Sequence, residues 1–268
     1  MTNKSSAMKI VVIGGSGLIG SRLVKKLSEQ GHQAVAASPA SGVNTLTGQG
    51  LAEVLRGGSV VVDVSNSPSF DEAPAMEFFK TSVHNLMKYE TAAGVGHHVM
   101  LAVVGTERLA QSGGVGGYFR AKLVQEKLVK ESSIPYSIVR ATQFFEFVNS
   151  IVDSATDGNT VRVPPALIQP MAADDVATAV AKVALGSPLK GTVEAGGPEQ
   201  LHFDELMRRA LKARNDPRQV LVDRNAKYFG ADIDERTLVP GNNARLGTMR
   251  FEDWLRGSHQ ATVAAKSL

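Results

Sequence analysis

Residues 9–20 read Lys-Ile-Val-Val-Ile-Gly-Gly-Ser-Gly-Leu-Ile-Gly, a β-branched run stopped by a glycine-rich turn. Ile10 to Ile13 are all apolar, the composition of a strand covered on both faces in a parallel sheet rather than one that alternates in and out. Two glycine spacings overlap in the turn: Gly14-x-x-Gly17-x-x-Gly20 and Gly15-x-Gly17-x-x-Gly20. One glycine lets the chain turn sharply, another lets backbone N–H groups approach a pyrophosphate, and the third lets the helix pack close on the strand. Leu18, Ile19, Leu23, Val24 and Leu27 then recur at helical spacing up to Gly31, so the turn opens into a helix whose N-terminus carries partial positive charge. Strand, turn and helix together predict a diphosphate cradle made of Gly14, Gly15, Ser16, Gly17, Leu18, Ile19 and Gly20.

The pattern continues outward from this unit. A second strand is expected at Gln33 to Ala37, a small helix around Gly50 to Leu55, and a third strand at Ser59 to Val64. The periodicity predicts a helix from Ala75 to Ala93, a strand from His98 to Val104, a helix from Tyr118 to Lys130, and a strand from Tyr136 to Val139 after Pro135. Alternating strands and helices predict an α/β class, with a Rossmann-type doubly wound parallel sheet. Four prolines between Pro164 and Pro188 mark a change of texture, with helices expected at Asp174 to Leu185 and Phe203 to Ala213. The expected organisation is a loose tail over residues 1–7, a dinucleotide-binding core over 8–142, and a smaller substrate-binding part over 143–268 interleaved with the core. The stretch after Gly257 is expected to be loosely held.

Composition narrows the partners. The chain has 268 residues, 43% hydrophobic and 21% charged, enough to bury a sizeable core without stapling. The 29 Lys and Arg are interspersed with 26 Asp and Glu, so no basic stripe is expected to follow nucleic acid. The absence of cysteine excludes disulfides, thiolate nucleophiles and Cys-ligated zinc. The apolar run Ile10 to Ile13 is far below the ~20 residues of a membrane span. A cytoplasmic protein, monomer or homodimer, acting on a small molecule is expected. His97 and His98 are adjacent in a strand and point to opposite faces, so no metal site is read there.

At the end of the second strand, an NAD-preferring site usually carries an acid on the ribose hydroxyls. Ser38 occupies that place in Ala36-Ala-Ser-Pro-Ala-Ser-Gly42, and the next acid is Glu53. Without that carboxylate a 2′-phosphate is not repelled, which favours NADP over NAD, with NAD possible. Arg22, Ser38 and Ser41 are candidate phosphate contacts, and Arg22 reads equally well as a solvated helix cation. Ser65 and Asn66 are candidate walls of the nucleotide site at the carboxyl edge of the third strand, and Asp63 reads as a satisfied structural carboxylate. Tyr118 and Lys122 are four residues apart and share one helix face. A cation there is expected to lower the phenol's pKa and let it exchange a proton with a substrate oxygen.

The segments Gly14 to Gly20, Val64-Ser-Asn-Ser-Pro68, Tyr118-Phe-Arg-Ala-Lys122, Ile138-Val-Arg-Ala-Thr-Gln-Phe-Phe-Glu-Phe147 and Ile168-Gln-Pro-Met-Ala-Ala-Asp-Asp-Val-Ala177 resemble the short-chain dehydrogenase/reductase superfamily, and more closely its atypical NmrA-like branch. The resemblance implies a nicotinamide cofactor, Tyr118 as acid/base and Lys122 as its cationic partner, which also binds the nicotinamide ribose. The superfamily's substrate-holding serine has no match: Ala102 stands where it is expected, and Thr106, with Ser112 behind it, is the candidate hydroxyl substitute. Thr142 and Gln143, at the carboxyl end of a strand, are candidate nicotinamide or substrate contacts. Phe144, Phe145 and Phe147 cannot all face one way, and Phe144 and Phe145 are candidates for the substrate pocket. Arg140 reads as an ion-pair partner, Asp174 and Asp175 as a helix cap whose second carboxylate complements the dipole in the first turn, and Trp254 as an anchor for the last helix. The expected activity is hydride transfer between nicotinamide and a small carbonyl, quinone-like or sugar-nucleotide substrate. The alternatives are a non-catalytic NAD(P)-sensing regulator of NmrA type, and a sugar-nucleotide epimerase that retains NAD.

Overall fold

The computed structural model describes residues 7–257, so the tails expected over residues 1–7 and after Gly257 fall, but for Ala7, outside the described residues. The chain runs β1 (Lys9–Ile13), α1 (Leu18–Glu29), β2 (Gln33–Ala37), α2 (Leu51–Leu55), β3 (Val60–Asp63), α3 (Glu72–Ala93), β4 (His97–Val103), α4 (Thr106–Leu109), α5 (Gly116–Glu131) and β5 (Tyr136–Ala141). It continues through α6 (Val148–Ser154), β6 (Thr156–Asp157), β7 (Thr160–Val163), β8 (Leu167–Ile168), α7 (Ala173–Ala184), β9 (Gly191–Gly196), β10 (Leu201–His202), α8 (Phe203–Ala213), β11 (Gln219–Val222) and β12 (Arg245–Leu246).

Seven strands form one sheet in the order β12-β9-β5-β4-β3-β1-β2. β1 pairs in parallel with β2 on one side and with β3 on the other, and β3 pairs in parallel with β4. This is the doubly wound α/β fold that the alternating pattern predicts, and β1 lies between β2 and β3, covered on both faces for the reason read from its sequence. Ile10, Val11 and Val12 are fully buried, so both faces of the strand are covered. The chain leaves β1 for β2 and then crosses back to β3. Strand order therefore reverses between β1 and β3, the place where open α/β sheets bind ligands beyond their carboxyl ends. The register sets Ile13 level with both Ala37 and Asp63, so three strand ends deliver their following loops to one edge.

The chain divides into two compact units, and the division is interleaved rather than a single cut. The first takes in residues through Ala102, Gly117–Arg140 and Ala177–Val193. Its core has one cluster of Val11, Ile13, Ala37, Val61, Leu51, Leu55 and Leu86, and another of Val83, Met100, Ala102, Val129 and Ile138. His97 and His98 point to opposite faces of β4: His98 Nδ1 lies 2.9 Å from Glu90 Oε1, and His97 Nε2 2.8 Å from Ser137 Oγ. Arg140 makes the expected ion pair, donating to both carboxylate oxygens of buried Glu126 at 2.9 and 2.7 Å.

The second unit takes in Val103–Gly116, Ala141–Val176 and the residues from Glu194 onward. It holds a three-stranded sheet of β6, β7 and β11 and a two-stranded pair of β8 and β10. Phe145, expected in a pocket wall, is 2% exposed and packs on Phe251 and Trp254 with ring centroids 5.1 and 5.6 Å away. Its helical turn directs it inward, and Phe144 stacks instead on exposed Phe147 at 5.6 Å. Asp175 stands in the first turn of α7 beside Asp174, where a carboxylate complements the helix dipole as expected. Its carboxylate accepts the backbone N–H groups of Thr248 and Met249 at 2.9 and 2.8 Å, while the first N–H of α7, at Ala173, donates to Glu146 at 3.1 Å. A distant carboxylate in the aromatic segment thus also serves this helix end.

Candidate active site

The turn between β1 and α1 is built so that side chains cannot enter it. Gly14 has φ +78° and its N–H donates to Ala37 O at 2.9 Å, tying the turn to the end of β2. A Cβ on Gly15 falls 2.6 Å from Ala36 Cα, and one on Gly20 falls 2.1 Å from Gly14 O. Both distances are shorter than real contacts allow, so α1 reaches its seat only because these positions are glycine. Gly17 is the N-cap of α1 in extended conformation, with no side-chain capping bond and no acid in the first turn. The helix end keeps its N–H groups for another acceptor, and Ser16 and Gly17 are exposed beside it. The cradle therefore fits the diphosphate of a dinucleotide.

At the end of β2, Ser38 is buried and opens a short turn over Pro39–Ser41. Its N–H donates to Ser41 Oγ at 2.9 Å, and that hydroxyl donates to Ser38 O at 2.9 Å. No carboxylate stands among residues 38–42. Arg22 Nη1 donates to Leu18 O at 2.7 Å, so the guanidinium folds back along its own helix.

Asp63 ends β3 and does two things at once. Oδ1 accepts the N–H of Ser65 at 2.9 Å and its hydroxyl at 2.6 Å, and Oδ2 accepts Gln125 Nε2 at 3.2 Å. Gln125 Oε1 in turn accepts Lys122 Nζ at 2.6 Å, and Lys122 also donates to Leu101 O at 3.1 Å. Asp63 and Gln125 are each 1% exposed and Lys122 3%, with Nζ 4.7 Å from the centre of the Phe79 ring. Burial lowers the Lys122 pKa to about 8, with Asp63 and Glu126 opposing the shift.

That depressed value has a measurable consequence. Below about pH 8 both native and unfolded chains carry the proton, and the native state bears the full cost of burying it. Between about 8 and the ordinary 10.5, only the native state sheds it, so stability rises with pH. Buried Tyr118 and Tyr228, both raised above 10.0, oppose the rise once unfolded phenols begin to ionise. Urea unfolding is expected to show stability increasing through pH 8 to 10 by on the order of 1 kcal/mol per unit, and Lys122→Met is expected to remove that slope. A wild-type profile that falls across this window would show that the ammonium is not held as described.

Tyr118 lies on the first turn of α5, 6% exposed, and its hydroxyl donates to Asn66 Oδ1 at 2.7 Å. The rings of Phe70, Phe119 and Phe79 surround it at 5.1, 5.3 and 5.8 Å. The expectation that a neighbouring ammonium lowers the phenol's pKa is corrected here: burial pushes it up and only the Asn66 bond opposes. The four-residue spacing puts Tyr118 and Lys122 on one face, but the lysine turns inward to Leu101 and Gln125.

Thr106 is also not a free hydroxyl. Gly105, at φ +79°, starts α4 immediately after β4, so Thr106 is fully buried and donates to Val103 O. Ser112 Oγ donates to Asp232 O at 2.9 Å, and Ala102 is 2% exposed.

A model of the NAD(P)H-binding family matches residues 14–185, starting at the glycine turn. The chain belongs to the NAD(P)H-binding family. The photosystem II assembly factor Ycf39 of Cyanophora paradoxa is 25% identical over 153 residues, 52% of this chain. That match spans 46% of the relative's own length. Among solved structures, a short-chain dehydrogenase/reductase superfamily protein from Agrobacterium tumefaciens with bound NAD is similar at TM-score 0.71 and 16% identity, covering 97% of this chain and 99% of that one. An NADPH-dependent quinone oxidoreductase from Escherichia coli complexed with NADPH is similar at TM-score 0.67 and 17% identity, covering 93% of this chain and 99% of that one. Likeness at these identities concerns the shared fold.

The turn Gly14 to Gly20, Ser38, Ser65, Asn66, Tyr118 and Lys122 all lie in the first unit. In the second unit, Thr142 Oγ1 and Gln143 Oε1 are buried just after β5 without a hydrogen-bond partner. Gln125 is the residue that sequence reasoning missed. Its signal was its position three residues after Lys122 on the same helix face. No helix among the described residues is long and apolar enough to cross a membrane.

Proposed function

We propose that this chain is an NAD(P)-dependent oxidoreductase of the short-chain type that reduces a small carbonyl, quinone-like or sugar-nucleotide substrate, preferring NADP(H). The observation that carries the reading is the glycine turn, which presents bare backbone amides at the positive end of α1, directly beneath the reversal of strand order. When bound, the cofactor supplies the hydride. The residues Gly14 to Gly20 grip its diphosphate, and the turn at Ser38, free of carboxylates, leaves room for a 2′-phosphate. Tyr118, held protonated by burial, turns its O–H from Asn66 Oδ1 to the oxygen of the carbonyl being reduced and donates its phenolic proton there. The raised pKa makes the phenol a weaker acid while leaving it loaded with the proton it is proposed to give. Thr142 and Gln143 are proposed nicotinamide or substrate contacts.

A second reading, a nucleotide-sensing protein without turnover, is supported by one set of observations: Thr106 is fully buried, Ala102 stands in the serine's place, and Lys122 faces the core. Calorimetric titration with NADPH and NADH, combined with a screen of quinones and aldehydes for loss of reduced-cofactor absorbance, separates the two. Tighter NADPH than NADH binding and turnover of at least one acceptor are expected. Binding with no turnover on any acceptor would favour the sensor, and tighter NADH would overturn the reading of Ser38.

A further inference from the structure

Resting on the reading of Ser65 and Asn66 as walls of the nucleotide site, we propose that Gln125 is a positioning residue for the cofactor. Its amide spaces the Lys122 ammonium from the Asp63 carboxylate, and so keeps Asp63 holding the Ser65 turn against the glycine turn. Tyr118, Lys122 and Gln125 follow one another at intervals of four and three residues, so they leave α5 from one face. Gln125 Nε2 donates to Asp63 Oδ2 at 3.2 Å, and its Oε1 accepts Lys122 Nζ at 2.6 Å. A neutral amide thus stands between two opposite charges, and all three side chains are buried.

The other oxygen of Asp63 is the one the spacer protects. Oδ1 accepts both the N–H and the hydroxyl of Ser65, which closes the turn after β3. That turn lies hard against the cradle: a Cβ on Gly14 falls 3.0 Å from both N and Cα of Ser65 and 3.1 Å from Val64 C. Asn66, next in the chain, accepts the Tyr118 hydroxyl. The direction taken by the Asp63 carboxylate therefore sets where this wall stands relative to Gly14.

Electrostatics gives the spacer its effect. With its pKa lowered to about 8, Lys122 still carries its proton at neutral pH. Two acids act on that charge, Asp63 and Glu126. Glu126 is engaged by Arg140 at 2.9 and 2.7 Å and by Lys130 at 3.1 Å, which leaves Asp63 as the carboxylate for a displaced ammonium. Opposite charges attract far more strongly in a poorly hydrated interior than at the surface, and a buried ion left without a partner is costly. Without the amide, Lys122 and Asp63 satisfy each other directly. Asp63 then turns from Ser65, and the wall loosens although the core stays folded.

The test introduces Gln125→Met, which keeps the side chain's length and removes both amide bonds, into wild type and into a Lys122→Met background. Calorimetry with NADPH at pH 7 reads the wall through the cofactor. Hydrogen exchange of the Ser65 amide in the free protein reads it directly, and thermal unfolding checks that each chain folds. Gln125→Met is expected to weaken NADPH binding about tenfold and to speed Ser65 exchange by a similar factor. In the Lys122→Met background the same substitution is expected to change both by less than about twofold, because no ammonium is left to draw Asp63 away. Equal losses in the two backgrounds are what a merely structural glutamine gives, and they would overturn the proposal. Gln125→Glu is the second variant: it keeps an acceptor for Lys122 but sets a like charge against Asp63, and is expected to speed Ser65 exchange too. Wild-type Ser65 exchange in either folded variant would overturn the spacer. Faster exchange in Gln125→Met together with no NADPH binding by wild type would leave the spacer standing and remove the cofactor reading.

Discussion

A Gly20→Ala chain is expected to fold and yet to bind NADPH at least about a hundredfold more weakly than wild type. The added methyl falls 2.1 Å from Gly14 O and 2.7 Å from Gly15 Cα, both backbone atoms that cannot swing aside as the end of a flexible side chain can. Overpacking of this kind costs about 1–3 kcal/mol, while alanine in place of glycine inside a helix returns about 1 kcal/mol. Net stability therefore changes little. The strain is relieved by lifting α1 off the turn, which moves its N–H groups away from the diphosphate, and a loss near 3 kcal/mol corresponds to about a hundredfold in affinity. Calorimetry and thermal unfolding on the same preparation check both halves. Wild-type affinity in a folded Gly20→Ala protein would mean that the diphosphate is not held at this turn.

On the proposed chemistry, Tyr118→Phe is expected to lower kcat for carbonyl reduction by about 10²–10⁴-fold with NADPH affinity unaltered. The substitution keeps the ring among Phe70, Phe79 and Phe119 and removes only the hydroxyl. Asn66 is exposed, so its carbonyl remains solvated and folding is nearly unaffected. Burial holds the phenol pKa above 10.0, so the wild-type rate of reduction is expected to stay level across neutral and mildly alkaline pH rather than fall with an ordinary phenol titration. Unchanged turnover in the variant would remove Tyr118 from the proton transfer.

Local pattern carried much of the architecture. The apolar run of β1, the glycine spacings and the helical periodicity of α1 are consequences of residues within one or two turns of each other, and such short-range preferences are written in order along the chain. The same holds for the opposed directions of His97 and His98, which follow from the pleat alone. Roles that depend on distant partners were harder to read. Nothing local to Asp174 and Asp175 shows that Asp175 also takes backbone N–H groups from residues 248 and 249, or that Glu146 accepts the first N–H of α7.

The candidate site divides along the same line. By itself, the sequence determined a nucleotide cradle between β1 and α1, an absent acid after β2, and a tyrosine and lysine on one helical face. Only the tertiary structure decided that Lys122 turns to Leu101 and Gln125, that Thr106 is sealed under the end of β4, and that Phe70 rests against Tyr118. Spacing sets which face a side chain leaves from, whereas its direction and its pKa depend on which carbonyls, rings and carboxylates the fold brings to that face, from residues up to 120 positions away.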